Sequence, residues 1–345
     1  MKVVVRDYNI LSHFLVRESQ LVNCARENLK SNVRFEKIIN KLQGCIDEKA
    51  IICLQEVPQV WGSLLFTYFY KQDYCFVPSY YGNVWNGRMG VAIAFPRSVY
   101  NLEESHITTI IDTKRWADPP EDKNLSGKTG VFAFCSKLIG RAFQWAKSIF
   151  VTAPAPPPVE QDIWSLAKSR HNTTICLKLS VIGAEQKQFF VSTYHMPCMF
   201  FNPPVMMIHS YLIARYIQKI ARGTPYILAG DFNFKPTDMC YKFYTGKPID
   251  RHSSDYPVPY PNDTDFDLST LQPMKSAYKV RYGSEPYFTT HSGEEVPFQD
   301  TLDYIFHSPN LRVLDALPLP AKLSPIPNKY EPSDHLMIGA TFQLD

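Results

Sequence analysis

The chain is most constrained by a set of short apolar runs, each of which ends or begins on a residue able to do chemistry. Val3-Val4-Val5 leads to Asn9, and Ile51-Ile52-Cys53-Leu54-Gln55 leads to Glu56. Phe189-Phe190-Val191-Ser192-Thr193-Tyr194 leads to His195, and Tyr226-Ile227-Leu228-Ala229-Gly230 leads to Asp231 and Asn233. Asp303 precedes Tyr304-Ile305-Phe306, while Asp334 and His335 precede Leu336-Met337-Ile338. Such runs read as buried strands. Strand ends converge at one rim of a packed sheet, so polar groups placed this way can share a site.

Between these runs lie helical patterns. Residues 34–46 keep Phe35, Ile38, Ile39, Leu42 and Ile46 on one face, and 60–70 and 238–244 read as further helices. Residues 205–222 hold the clearest stripe (Ile208, Tyr211, Leu212, Tyr216, Ile217, Ile220), with Gly223 at the position that closes a helix. Strands are expected at 3–9, 50–55, 74–78, 90–95, 174–180, 189–194, 226–229, 304–307 and 336–342. The stretches 112–168, with the run Ala153-Pro154-Ala155-Pro156-Pro157-Pro158, and 246–300 read as long loops on one catalytic domain spanning 1–345. No apolar run approaches the roughly 20 residues a membrane span needs. The eight Cys are dispersed with no C-x-x-C pair, which predicts reduced thiols and a cytoplasmic or nuclear setting. A monomer is expected. The sequons at Asn124, Asn172 and Asn262 read as chance matches.

Each polar group has an ordinary alternative. An Asp or Asn just past a strand is usually a turn residue bonded to nearby backbone. Glu56 is odder, because a carboxylate following a near-apolar run is costly to bury unpaired, and a cation is one remedy. Hard oxygen donors without Cys suit Mg²⁺, or Mn²⁺ as a substitute. Hydrolysis of a phosphodiester needs an activated water, charge on the phosphoryl oxygens and help for the leaving oxygen. Glu56 and Asp334 suit the cation. Asp231 suits the water, and Asn233, His195 and His335 suit the phosphate. A carboxylate such as Asp303 can fix a donating histidine through its other ring nitrogen.

Six motifs occur in order: Tyr8-Asn9-Ile10-Leu11-Ser12, Leu54-Gln55-Glu56-Val57, Thr193-Tyr194-His195, Gly230-Asp231-Phe232-Asn233, Thr301-Leu302-Asp303-Tyr304-Ile305-Phe306 and Pro332-Ser333-Asp334-His335-Leu336. With them the chain resembles the exonuclease–endonuclease–phosphatase superfamily from Val3 to Phe342. The similarity is greatest to its deadenylase branch, which holds the carbon-catabolite-repression deadenylase, nocturnin, the Angel proteins and 2′-phosphodiesterase. The resemblance implies a four-layered α/β sandwich: two packed mixed β-sheets flanked by helices. It implies Glu56 as the principal Mg²⁺ ligand, with Asn9 beside the metal and Asp334 on the metal side. Asp231 would position water, Asn233 and His195 would meet the phosphate, and Asp303 would orient His335. Asn172 in Arg170-His171-Asn172 matches an Asn that faces the phosphate. Tyr194-His195-Met196 departs from the usual Thr-His-Leu, and the Pro-rich insertion is longer than expected.

The expected activity is Mg²⁺-dependent hydrolysis of RNA from its 3′ end, with poly(A) as the expected RNA. The alternatives are 2′–5′-oligoadenylate cleavage, removal of a 2′,3′-cyclic phosphate, or a non-catalytic RNA-binding scaffold. The scaffold reading predicts damage at the site positions, and all of them are present. Of the residues, 14% are aromatic, and Trp85 and Tyr287-Phe288 are candidates to stack on bases. Arg88, Lys242 and Arg170 are candidates to meet substrate phosphates. The formal charge of +3 argues against a broad, non-specific nucleic-acid face. It fits a short substrate end held where a metal supplies the positive charge.

Overall fold

The computed structural model describes residues 1–119 and 162–345. The Pro-rich run at 153–158, Cys135 and the sequon at Asn124 lie outside the described residues.

In chain order the strands are β1 (Lys2–Asn9), β2 (Ile51–Val57), β3 (Tyr74–Tyr80), β4 (Gly90–Pro96), β5 (Tyr100–Thr109), β6 (Thr173–Val181), β7 (Ala184–His195), β8 (Tyr226–Asp231), β9 (Lys275–Ser276), β10 (Thr290–His291), β11 (Gln299–Asp300), β12 (Asp303–His307), β13 (Arg312–Ala316) and β14 (Ile338–Gln343). The helices are α1 (Arg26–Leu29), α2 (Ser31–Asp47), α3 (Gln59–Lys71), α4 (Ile163–Lys168), α5 (Pro203–Ala221), α6 (Met239–Tyr244) and α7 (Ala277–Tyr282). One six-stranded sheet runs β13-β14-β1-β2-β4-β3 and the other runs β5-β6-β7-β8-β12-β9. Each mixes orientations, with β1–β2 and β7–β8 parallel and the other pairs antiparallel.

Side-chain alternation builds three cores, one between the sheets and one on the outer face of each. Val3, Val5, Ile51, Cys53, Ile93 and Phe342 of the first sheet meet Ile175, Leu177, Val191, Ile227, Ala229 and Ile305 of the second. On the outer face of the first sheet, Tyr8, Ile52, Leu54, Ala92 and Ala94 pack under Ile38 and Leu42 of α2 and Trp61, Leu65 and Phe69 of α3. On the outer face of the second, Phe190, Leu228 and Phe306 pack under Val205, Ile208, Tyr211, Leu212 and Ile217 of α5. Helix, sheet, sheet, helix is the expected four-layered sandwich. Each fully buried aliphatic side chain contributes about 1.5–3 kcal/mol. Among the described residues no helix is long and apolar enough to cross a membrane.

The same alternation builds the site. Asn9 continues the parity of Val3 and Val5, His195 that of Phe189 and Val191, Asp231 that of Ile227 and Ala229, and Asp303 that of Ile305. All four therefore face the space between the sheets. Register brings them to one rim, because Asp231 pairs with both His195 and Asp303 across neighbouring strands.

Several expected boundaries shift. Helix α5 begins at Pro203, two residues before the expected start, with Pro in its first turn where no N–H is needed. It closes through Arg222 and Gly223, both left-handed (φ 49° and 88°). Helix α2 begins at Ser31, and β14 begins at Ile338. The stretch 246–300 is not one loop: it carries β9, α7, β10 and β11. At the edges of the expected loop 112–168, Ile110–Thr113 forms a 3₁₀ turn and Ile163–Lys168 forms α4.

Candidate active site

The rim opens into a cleft of about 530 Å³, lined by Glu56, Asp231, Asp334, His195, His335, Asn172 and Asn233. Asn9 lies fully buried behind it. Asn9 Nδ2 donates to Glu56 Oε1 (3.2 Å) and Asp231 Oδ2 (2.9 Å), so one amide ties the two carboxylates together. Its Oδ1 accepts from the Leu11 N–H at 2.9 Å. Glu56 Oε2 accepts from the Ser12 N–H at 3.0 Å.

Glu56 reaches this position through a backbone irregularity. Strand alternation from Gln55, whose side chain bonds Asp7 and Thr193 between the sheets, would send Glu56 to the helical side. Instead its φ is +55°, and the β2–β4 register slips between Leu54 and Val57. A bulge of this kind re-aims one side chain at the end of a strand.

The two histidines are held from behind. His335 Nδ1 lies 2.8 Å from Asp303 Oδ2, which also accepts from Thr289 Oγ1 at 2.6 Å. His195 Nδ1 lies 2.7 Å from the Tyr81 hydroxyl. Both Nε2 atoms then point at Asp231 Oδ2, at 3.6 Å for His195 and 3.7 Å for His335. Burial alone would discharge His335. The Asp303 and Asp231 carboxylates outweigh it and hold the imidazolium well above its ordinary value.

Donor atoms of Asp231, Asp303 and His335 all lie within 4.8 Å of one another, a spacing a cation could use. Those atoms already bond one another and their neighbours, so they are better described as a hydrogen-bonded relay. The opposite wall is different. Burial, reinforced by the Asp334 charge, lifts Glu56 above its ordinary value, against the pull of His195 and the bonds from Ser12 and Asn9. Glu56 and Asp334 both face the cleft and form an oxygen donor set that fits Mg²⁺ or Mn²⁺, while the Asn9 amide hydrogens hold Glu56 and Asp231 in place.

The cleft gathers nine of the ten expected site residues: Asn9, Glu56, Asn172, His195, Asp231, Asn233, Asp303, Asp334 and His335, with Asn9 and Asp303 just behind its wall. Arg88 is not among its lining residues. It is exposed in the turn after Trp85, its N–H bonded to Asn83 O, and Trp85, Asn86 and Met89 line the cleft instead. Lys242 is exposed on α6, and Tyr287 and Phe288 lie outside the cleft, Phe288 being fully buried. Arg170 does line it. Two expected phosphate donors are partly engaged, since Asn172 Nδ2 donates to His195 O (2.8 Å) and Asn233 Nδ2 donates to Met196 O (2.9 Å). Sequence reasoning missed Tyr81, Ser12 and Thr289, which support His195, Glu56 and Asp303. Ser12 closes the first motif, but nothing in the local sequence marks the support any of the three gives, because each acts across the fold.

A family model, described as the Endonuclease/Exonuclease/phosphatase family, matches residues 8–335 and so spans every motif at this rim. The chain belongs to that family. The family is described by enzymes, nucleases and phosphatases, that cut phosphodiester or phosphate ester bonds. Among curated relatives, Carbon catabolite repressor protein 4 homolog 4 of Arabidopsis thaliana is 37% identical over 125 residues, 34% of this chain and 27% of that protein. Nocturnin of Drosophila melanogaster is 28% identical over 145 residues, 38% of this chain and 21% of that protein. The chain thus spans about a quarter of the length of these relatives. Among solved structures, ANGEL2, a 2′,3′-cyclic phosphatase, in complex with adenosine-2′,3′-vanadate shares the fold at a TM-score of 0.68 and 19% identity, covering 100% of this chain and 96% of that one. The human Nocturnin catalytic domain with bound sulfate does so at 0.60 and 19%, covering 100% and 95%.

Proposed function

We propose that this protein is a Mg²⁺-dependent phosphodiesterase that shortens RNA from its 3′ end, with poly(A) as substrate. The observation that carries the reading is the convergence of an oxygen donor set and two rear-supported histidines on one cleft. Trp85, 62% exposed, lines that cleft and offers a ring on which a base can stack. The likeness to Carbon catabolite repressor protein 4 homolog 4 and to Nocturnin agrees with the deadenylase-branch resemblance, and it is that resemblance which favours RNA and adenylate over other phosphate esters.

In this reading Glu56 and Asp334 would hold the metal, with Asn9 beside it bracing Glu56 and Asp231, and the metal when bound would supply Lewis-acid charge on the phosphoryl oxygens. Asp231 orients the attacking water and takes its proton as the water oxygen bonds to phosphorus and the ester P–O bond breaks, the departing ribose oxygen taking a proton from solvent water to leave as the new 3′-hydroxyl. Its Oδ1 is pinned by the Asn233 N–H at 3.0 Å, so Oδ2 faces the reacting centre. His335 donates from Nε2 to the charged phosphoryl oxygens, because Asp303 occupies Nδ1. His195 donates from Nε2 on the other side, with the Tyr81 hydroxyl satisfying Nδ1. The second Nδ2 hydrogens of Asn172 and Asn233 remain for phosphate contact. The seven described cysteines are all free, which supports a reducing setting, cytoplasmic or nuclear.

The test is a side-by-side assay of 5′-labelled 3′–5′ oligo(A), 2′–5′ oligo(A) and RNA ending in a 2′,3′-cyclic phosphate, each with Mg²⁺ and with EDTA. A ladder from 3′–5′ oligo(A) that vanishes with EDTA is expected. Faster turnover of either other substrate moves the assignment to that linkage. RNA binding without turnover of any of them favours the scaffold.

A further inference from the structure

Arg34 belongs to α2, outside the cleft, yet it is fully buried and its guanidinium reaches both loops that carry the metal-side residues. Its Nη2 donates to Ile10 O (2.7 Å) and Leu11 O (2.6 Å), and its Nε donates to Pro332 O (2.5 Å). All these acceptors are backbone carbonyls in segments outside regular structure, where no ladder partner is available. Leu11 is held in the left-handed region (φ 52°), an unfavourable place for a branched side chain. The Trp61 ring lies 5.4 Å from the guanidinium carbon and closes its other side.

What the two loops hold makes this clamp consequential. In the first, the Leu11 N–H fixes Asn9 Oδ1 and the Ser12 N–H fixes Glu56 Oε2. In the second, Ser333 follows directly on Pro332 and donates to Asn9 O at 2.7 Å, and Asp334 and His335 come next. Moving either loop therefore displaces Asn9, Glu56 or Asp334. A planar guanidinium with donors in a fixed fork can bridge two loops, whereas a lysine ammonium is a point donor on a flexible stem.

We infer that Arg34 is a positioning residue for the divalent-cation site: it locks the 10–12 and 332–335 loops together from the helical layer, so that Glu56, Asn9 and Asp334 converge before any metal arrives. The inference rests on the proposed function for its consequence at the metal, and on geometry alone for the clamp. Two measurements on the full chain separate them. Hydrogen exchange without metal reads the clamp in Arg34→Lys and Arg34→Met. Amides of Leu11, Ser12 and 333–335 should exchange faster, by about tenfold or more as local opening rises, while β7 and β8 stay protected. Calorimetric titration with Mg²⁺ or Mn²⁺ reads the consequence. Arg34→Lys should weaken cation binding by about 10–100-fold, the range for losing a residue that orients ligands. At saturating metal its kcat on oligo(A) should recover towards wild type with KM unchanged. Unaltered loop exchange in a folded Arg34→Lys overturns the clamp. Faster loop exchange with unaltered cation affinity overturns the positioning role and leaves Arg34 structural. A wild-type chain that binds neither cation overturns the proposed metal chemistry itself, and the exchange result still decides the clamp.

Discussion

Replacing Asp303 with Asn tests the support behind His335. The carboxylate is 2% exposed, and its Oδ2 accepts from both Thr289 Oγ1 and His335 Nδ1. Asn keeps the shape and one acceptor oxygen but removes the charge. A buried hydrogen bond to a charged group contributes about 1.5–3 kcal/mol, so the lost pairing destabilises on that scale. Against it, the substitution relieves repulsion between two buried carboxylates, Asp303 and Asp231, which together with burial holds Asp303 above its ordinary value. The net change in stability is therefore expected within about 1–2 kcal/mol. Catalysis has no such offset. Losing one preorganised donor to a developing phosphoryl charge costs about 10²–10³ in kcat. The pH profile should change too. Asp303 is the largest influence raising His335, while burial pulls it down. Wild-type kcat should stay level through neutral pH, with His335 protonated throughout. In Asp303→Asn it should fall as pH rises through that range, with KM little changed. Melting curves establish that the variant folds, and kcat on oligo(A) is then measured across pH. A folded variant whose kcat falls by less than about threefold, under 1 kcal/mol, with an unchanged profile would remove His335 from the role given to it here.

Glu56→Gln should melt at or above the wild-type temperature without metal, because a costly buried charge is gone. It should lose the stabilisation saturating Mg²⁺ gives the wild type, about 3 kcal/mol at a hundredfold excess over Kd, and with it activity; a retained Mg²⁺ shift removes Glu56 from the metal. Trp85→Ala should raise KM for oligo(A) by about 1–3 kcal/mol of lost stacking with kcat and melting temperature unchanged, and an unchanged KM removes Trp85 from substrate binding. His209 is fully buried, and its Nδ1 accepts from the Tyr194 hydroxyl while its Nε2–H donates to Ala167 O. Burial pushes it down from 6.5 to about 4, so its contribution is complete above pH 6.5, where the unfolded chain is also neutral, and is lost as pH falls from 6.5 toward 4. That shift corresponds to about 3 kcal/mol, so His209→Gln should flatten the pH dependence of melting across this window, and an unaltered slope would count against the assignment.

The two sheets were legible where strands carry apolar runs, the edge strand β3 among them, and illegible where exposure or shortness leaves none. The central strands β1, β2, β7, β8 and β12 each hold a mostly buried stretch that shows as an apolar run. The edge strand β5 leaves most of its side chains exposed, and β13 is short and carries charge at Arg312 and Asp315, so no apolar run marks either. Strands β9, β10 and β11 have two residues each, too few for any pattern, and exist because a neighbouring strand offers backbone partners. Helix α7 did leave a trace: Ser276 caps its first turn and Gly283 closes it with φ +80°. The candidate site followed the same division. Its residues were visible as polar ends of buried runs, whereas Arg88, which ends no such run and differed little from a solvated surface charge, is exposed in a neighbouring turn.

Local sequence was enough to say which residues could meet at one rim. Alternation along a strand is local, so the parity that puts Val3 and Val5 between the sheets also puts Asn9 there. Apart from the pairing of Asp303 with His335, how those groups are aimed and held came from the tertiary fold. Glu56 turns into the cleft through a bulge against β4, and His195 and His335 are oriented by Tyr81 and Asp303 from elements distant in sequence. One guanidinium from a helix ties together loops separated by some three hundred residues. Hydrogen bonds across such distances depend on packing of whole layers, and no window of sequence contains both partners.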